Sequence, residues 1–165
     1  MLNYILFRIR ILFSREKYKI IFLDFDGVLC PIDDSINDVY DRFGRMFNKE
    51  CVDNFNTIIS KTNAHIVIIS SWRGYLSLRK LRKMWRRRKM AGEIVDITPD
   101  ISIHRGDEID AWLTRKCFKG VYVIIDDMDY RQFNTYQVDN LVTCNGRLGL
   151  TTEDVEKAIK ILSNV

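Results

Sequence analysis

Residues 19–27 read Lys-Ile-Ile-Phe-Leu-Asp-Phe-Asp-Gly, so an apolar run passes straight into two carboxylates and a glycine. Such a run is long enough for a strand buried on both faces, and its composition favours β structure. Its abrupt polar end puts Asp24 and Asp26 in a loop at the carboxyl end of that strand. A strand hidden on both faces needs a layer above and a layer below. Parallel sheets with crossover helices supply both.

The rest of the chain repeats this design. Residues 65–69 form a second buried strand, ending at Ser70-Ser71, and residues 93–97 a short strand closed by Thr98-Pro99. Residues 120–125 form another, ended by Asp126-Asp127, and residues 140–143 a last one, followed by the turn residues Asn145, Gly146 and Gly149. Between them the apolar period lengthens to that of a helix. Tyr40, Phe43, Phe47 and Phe55 supply much of the apolar surface of residues 33–61, with a break expected near Gly44 or over 48–52. Leu78, Leu81 and Trp85 share a face over 77–90, and Ile109, Trp112 and Leu113 share one over 107–116. Thr151 and Asp154 form the capping-box pair of a C-terminal helix that runs to about residue 162. The order β-α-β-α-β-α-β-β-α predicts an α/β fold: a three-layer, Rossmann-like, mostly parallel sheet of about five strands with helices on both faces. A single domain over 1–165 is expected, with an N-terminal extension at 1–18 and a small helical insertion or flap at 30–62. No large cap fits between the strands.

Composition removes several classes. A chain that is 47% hydrophobic, with eight glycines and two prolines, is neither disordered nor collagenous. Four cysteines at 30, 51, 117 and 144 form no CxxC pair, and with only two histidines that spacing argues against a zinc finger and against a disulfide scaffold. A reducing, cytoplasmic compartment is the simpler expectation. Arg8 and Arg10 interrupt the apolar N-terminus, which leaves neither a signal-peptide core nor a transmembrane span. A packed edge element, a dimer contact and a membrane-surface contact all remain open for that segment.

The net charge of +4 hides an uneven layout. No carboxylate occurs over residues 54–92, where ten basic residues lie, and the remainder is net acidic. Arg79, Lys80, Arg82, Lys83, Arg86, Arg87, Arg88 and Lys89 all fall on one helix. Like charges at i,i+4 cost helix stability, so either these positions are simply solvated or they track a nucleic-acid backbone.

In a parallel α/β sheet, ligands bind at the carboxyl ends of the strands. Three such ends carry polar groups here: Asp24 with Asp26, Ser70 with Ser71, and Asp126 with Asp127 and Asp129. Each group taken alone is ordinarily a turn or cap. Together they make a carboxylate cluster that calls for a cation, and hard oxygen ligands select Mg2+.

At these residues the chain resembles the haloacid dehalogenase superfamily. IIFLDFDGVL at 20–29 is similar to its nucleophile motif, the strand ending at Ser70 to its second motif, and Asp126-Asp127 to its acidic fourth motif. ISSWR at 69–73, Thr98-Pro99, RGDEIDAWL at 105–113 and VIIDDMD at 123–129 resemble a small capless, phosphatase-like subgroup, the domains of Swiss Army Knife RNA repair-like proteins. The resemblance implies a haloacid-dehalogenase-like fold and covers roughly residues 19–162. It also implies Asp24 as the nucleophile that becomes an aspartyl-phosphate, and Asp26 as general acid and then base. Ser70, with Ser71 as fallback, would hold the phosphoryl group. Mg2+ would be held by Asp24, the Asp26 carbonyl and Asp126 or Asp127, with Asp127 the first choice. The phosphate-neutralising cation would be Arg105, with Arg73 as competitor. The expected function is a Mg2+-dependent phosphomonoester hydrolase acting on a phosphorylated substrate, including nucleotide or polynucleotide ends. A nucleic-acid-binding protein with a vestigial site and a phosphotransferase are the alternatives.

Overall fold

The computed structural model describes residues 18–32 and 39–164. In chain order its elements are β1 (Lys19–Leu23), β2 (Tyr40–Asp41), β3 (Gly44–Arg45), α1 (Lys49–Thr62), β4 (His65–Ile68), α2 (Leu78–Arg87), β5 (Ile94–Ile97), α3 (Arg105–Lys116), β6 (Val121–Asp126), β7 (Leu141–Thr143) and α4 (Thr152–Ser163). Short 3-10 helices occupy Ser71–Gly74, Tyr130–Gln132 and Thr135–Asn140. The readings of the N-terminal segment as an edge element, dimer contact or membrane contact fall on residues 1–17, outside the described residues.

Five strands pair in the order β5-β4-β1-β6-β7, and every pairing in that sheet is parallel. β1 is central, which explains its unbroken apolar run. Successive side chains of a strand point to opposite faces. Ile21 and Leu23 therefore join one core with Ile66, Ile68, Val123 and Ile125, while Ile20 and Phe22 join the other with Val67, Ile69 and Ile124. The first core is roofed by α1, α2 and α4 through Phe55, Ile58, Leu81, Trp85, Val155 and Ala158. The second is covered by α3 through Ile109 and Trp112. Burying each large apolar side chain contributes about 2 kcal/mol. Among the described residues, the expected three-layer fold without a large cap is the one observed.

Local signals mark the helix ends. The Asn48 side chain accepts hydrogen bonds from the Glu50 and Cys51 N–H groups at 2.8 and 3.2 Å, which starts α1. Thr151 and Asp154 close the capping box of α4 as expected. Cys30, Cys51 and Cys144 are buried and unbridged. No helix among the described residues is long and apolar enough to cross a membrane.

Of the segment before α1, residues 33–38 of the expected helical insertion or flap lie outside the described residues, and residues 40–45 depart from the helical expectation. Residues 40–45 form the small antiparallel hairpin β2-β3, which turns at Arg42-Phe43 and re-enters its second strand at Gly44, whose φ is 123°. The Arg88 guanidinium, at the end of α2, donates to Asp41 at 2.9 and 3.2 Å and to the Gly44 carbonyl at 3.3 Å. It also stacks 4.4 Å above the Phe47 ring. A cation distant in sequence thus decides the conformation of a segment whose aromatic spacing mimics a helix.

Candidate active site

β1, β4 and β6 end side by side, so the sheet itself brings their terminal residues together. Asp24 continues β1 by donating its N–H to the Ile125 carbonyl at 3.0 Å, and Ile69 continues β4 by donating to the Leu23 carbonyl at 3.0 Å. Asp126 is the last residue of β6 and wholly buried. Asp127 begins the turn that follows and is half-buried. One carboxylate oxygen from each of Asp24, Asp126 and Asp127 lies within 4.8 Å of the other two.

Arg105 opens α3 and reaches across this cluster. Its Nε stands 3.3 Å from Asp126 Oδ2 and its Nη2 3.9 Å from Asp24 Oδ2, while Nη1 donates to the Ile69 carbonyl. Ser70 is fully buried beside them and offers its hydroxyl to Asp24, as the Phe25 N–H does. Burial raises the Asp24 carboxyl, while the charge of Arg105 and those two hydrogen bonds pull the other way. Asp126 is pushed up to about 7, first by burial and then by the negative charge of Asp24. Burial raises Asp127 as well. Three carboxylates against one guanidinium remain short of positive charge.

The donor set fits a hard divalent cation. Asp126 Oδ1 accepts from the Met128 N–H at 2.9 Å. Its buried Oδ2 makes no hydrogen bond, because Arg105 sits at ion-pair distance without hydrogen-bond geometry. An unsatisfied buried carboxylate oxygen facing two further carboxylates is the arrangement a magnesium ion resolves.

Two glycines admit Asp127 to the cluster. A Cβ on Gly27 would lie 2.0 Å from Asp127 Oδ2, and one on Gly146 would lie 2.6 Å from the same atom. Gly27 also stands at φ 70°, a backbone region that favours glycine. Gly146, read from sequence only as a turn residue, is therefore part of the site, and only the folded chain shows it. Gly146→Ala should push the Asp127 carboxylate away and cut Mg2+ affinity about tenfold. Titration of the metal into both proteins, followed by the rise in thermal midpoint, checks this.

The remaining sequence candidates have distinct placements. Asp26 is exposed in the loop after β1, where its Oδ2 accepts from the Trp72 indole N–H at 3.0 Å. Ser71 is exposed at the start of a 3-10 turn, and Ser70 caps that turn by accepting from the Trp72 N–H at 3.4 Å. Arg73, weighed as a phosphate ligand, is instead held in a buried ion pair with Glu108 and donates to the Ile69 carbonyl. Its charge is already matched by a residue from α3. Two members of the basic helix are likewise committed: Arg82 bonds the Ile94 and Val95 carbonyls at 2.7 and 2.9 Å, and Arg88 latches the hairpin. Arg79, Lys80, Lys83, Arg86, Arg87 and Lys89 stand exposed. Asp129 caps a 3-10 turn by accepting from the Arg131 N–H at 2.9 Å, outside the carboxylate cluster.

Beside the cluster lies a pocket of about 210 Å3 lined by Ser71, Arg73, Ser102, Ile103, Arg105 and Met128, with Asp100 and Glu108 completing its wall. Exposed apolar side chains rim the same edge of the sheet. Ile32, Tyr75, Ile101, Ile103, Met128 and Leu148 stand in segments that follow β1, β4, β5, β6 and β7.

Residues 20–155 match a protein-family model described as the HAD (haloacid dehalogenase) domain in Swiss Army Knife RNA repair proteins. The match runs from the buried start of β1 into α4 and includes every residue of the carboxylate cluster. No curated protein matches the chain.

Proposed function

The chain belongs to the family of HAD domains in Swiss Army Knife RNA repair proteins, and from that premise we propose that it is a magnesium-dependent phosphomonoester hydrolase. The observation that carries the proposal is the convergence of Asp24, Asp126 and Asp127 within 4.8 Å, with a buried oxygen of Asp126 left unbonded.

Asp24, Asp126 and Asp127, with the Asp26 carbonyl, would hold Mg2+. When bound, the ion screens the repulsion between a phosphate dianion and the nucleophile. Asp24 attacks phosphorus while the bond to the leaving oxygen breaks, and Asp26 donates its proton to that oxygen. Asp26 then takes a proton from water as the water attacks phosphorus, the Asp24 ester opens and inorganic phosphate leaves. Ser70 holds a phosphoryl oxygen, and Arg105 neutralises charge on phosphate and nucleophile together. Arg73 orders the loop after Ser70 through Glu108.

The substrate we favour is the terminal phosphate of a polynucleotide. Three features support it: no large cap covers the cleft among the described residues, exposed apolar side chains rim it, and α2, which follows directly from the Ser70 loop, carries exposed cations. The name of the family points the same way.

The test is Mg2+-dependent phosphate release from a panel of 3′- and 5′-phosphorylated RNA and DNA oligonucleotides, mononucleotides and an aryl phosphate. Oligonucleotides should be preferred at low salt and lose that preference as salt rises. Replacing Arg79, Lys80, Lys83 and Arg86 together by glutamine should raise KM for oligonucleotides about tenfold and leave the aryl phosphate unchanged. Release from mononucleotides alone would remove the polynucleotide reading. No release from any substrate, with salt-dependent oligonucleotide binding retained, would favour a binding protein with a vestigial site.

A further inference from the structure

Trp72 contributes no charge or nucleophile, yet it connects the hairpin, α2 and the loop after β1. Its indole is almost wholly buried, and its N–H donates to Asp26 Oδ2 at 3.0 Å. An indole N–H can only donate, so it must find an acceptor, and here that acceptor is a carboxylate oxygen of Asp26. Asp26 itself is exposed and accepts no other side-chain hydrogen bond among the described residues. Without the indole, its carboxylate would be free to rotate into solvent.

The ring is fixed on several sides. Phe25 meets it edge-on with centroids 5.4 Å apart, and Phe47 lies at 6.1 Å. The hairpin backbone rests on its far edge, where a Cβ on Gly44 would come within 3.2 Å of Cη2. Arg88, which latches that hairpin through Asp41, stands 5.6 Å over the same ring. The direction of the N–H is therefore set by packing from three separate parts of the chain.

We propose that Trp72 is the positioning residue for the proton transfer carried out by Asp26, holding one carboxylate oxygen so that the other faces the leaving group. The inference rests on the hydrolase reading above. It assigns the hairpin a task as well: pressing on the indole keeps the donor aimed.

Leaving groups separate positioning from mere packing. An alkoxide leaving group needs a proton as the P–O bond breaks, whereas p-nitrophenolate departs without one. The constant kcat/KM reports this step, whatever the rate of the later hydrolysis. Trp72→Phe keeps a ring in place and removes the donor. It should lower kcat/KM about tenfold for an alkyl phosphate and less than about threefold for p-nitrophenyl phosphate. Asp26→Asn should show the same selectivity with a larger loss. The double variant should lose no more than Asp26→Asn alone, because both changes act on one proton transfer. Equal losses on both substrates, or multiplying losses in the double variant, would overturn the proposal. If Asp26→Asn itself shows no leaving-group selectivity, the fault lies in the hydrolase reading.

A second measurement stands apart from activity and from the folding of Trp72→Phe. In 15N-labelled protein the three indole N–H resonances have different partners: Asp26 for Trp72, the Ala91 carbonyl for Trp85 and Asp96 for Trp112. Asp26→Ala should move the Trp72 resonance and speed its hydrogen exchange, leaving the other two in place. An unmoved Trp72 resonance would refute the contact.

Discussion

On the proposed mechanism Asp24→Asn is expected to abolish phosphate release, by more than about a thousandfold, because an amide cannot replace a carboxylate nucleophile. The variant should nevertheless fold. Asp24 is buried against two other carboxylates, and its own carboxyl is raised by that burial. Removing one negative charge relieves repulsion within the cluster, so the thermal midpoint in EDTA should be no lower than that of the parent chain. The stabilisation that Mg2+ brings should shrink, since one ligand has lost its charge. Phosphate release and two melting curves, with and without Mg2+, test all three statements. Turnover surviving at a tenth of the parent rate would exclude Asp24 as the nucleophile.

The second large effect is the dependence of stability on pH. Without metal, Asp126 holds its proton up to about 7, through burial and the charge of Asp24, and Asp24 and Asp127 are raised too. An unfolded chain releases those protons near pH 4. Between the two values the native state binds more protons than the unfolded state, so stability falls as pH rises. The contribution is complete below about pH 4 and lost as pH passes through about 7. Magnesium held as proposed should reverse the trend, since it would bind the deprotonated carboxylates. At a hundred times its dissociation constant it adds about 2.7 kcal/mol. The difference in thermal midpoint between Mg2+ and EDTA should therefore grow steadily from about pH 5 to about pH 8. Asp126→Asn should flatten the EDTA curve and reduce the Mg2+ shift. A shift that is equal at every pH, or unchanged in that variant, would count against a metal site at this cluster.

The two basic candidates around Ser70 show where a linear reading stops. Arg73 lies nearer in sequence and Arg105 lies 35 residues beyond Ser70, yet Arg105 reaches Asp24 and Asp126 while Arg73 is taken up by Glu108. Nothing local to Arg73 announces that partner. The adjacent pair Asp126 and Asp127 is similar. Asp126 ends a strand and Asp127 begins a turn, so both oxygens enter one cluster, and the room for Asp127 comes from Gly27 and from Gly146, far away in the chain. Trp72 stood in view beside Ser70, but its donation to Asp26 depends on the hairpin and on Arg88.

The amino-acid sequence alone determined the layered α/β architecture, the parallel sheet and the gathering of carboxylates at strand ends. Those features follow from local patterns: apolar runs where both faces of a strand are covered, helical spacing where one face is, and polar residues where a strand stops. Tertiary structure alone decided which arginine meets the carboxylates, which glycines admit Asp127, why residues 40–45 turn back as a hairpin, and what holds Asp26. Each of these depends on a pairing between residues far apart in the chain. Such pairings are chosen by packing and charge compensation after the layers have formed, and they leave no periodic trace in the sequence.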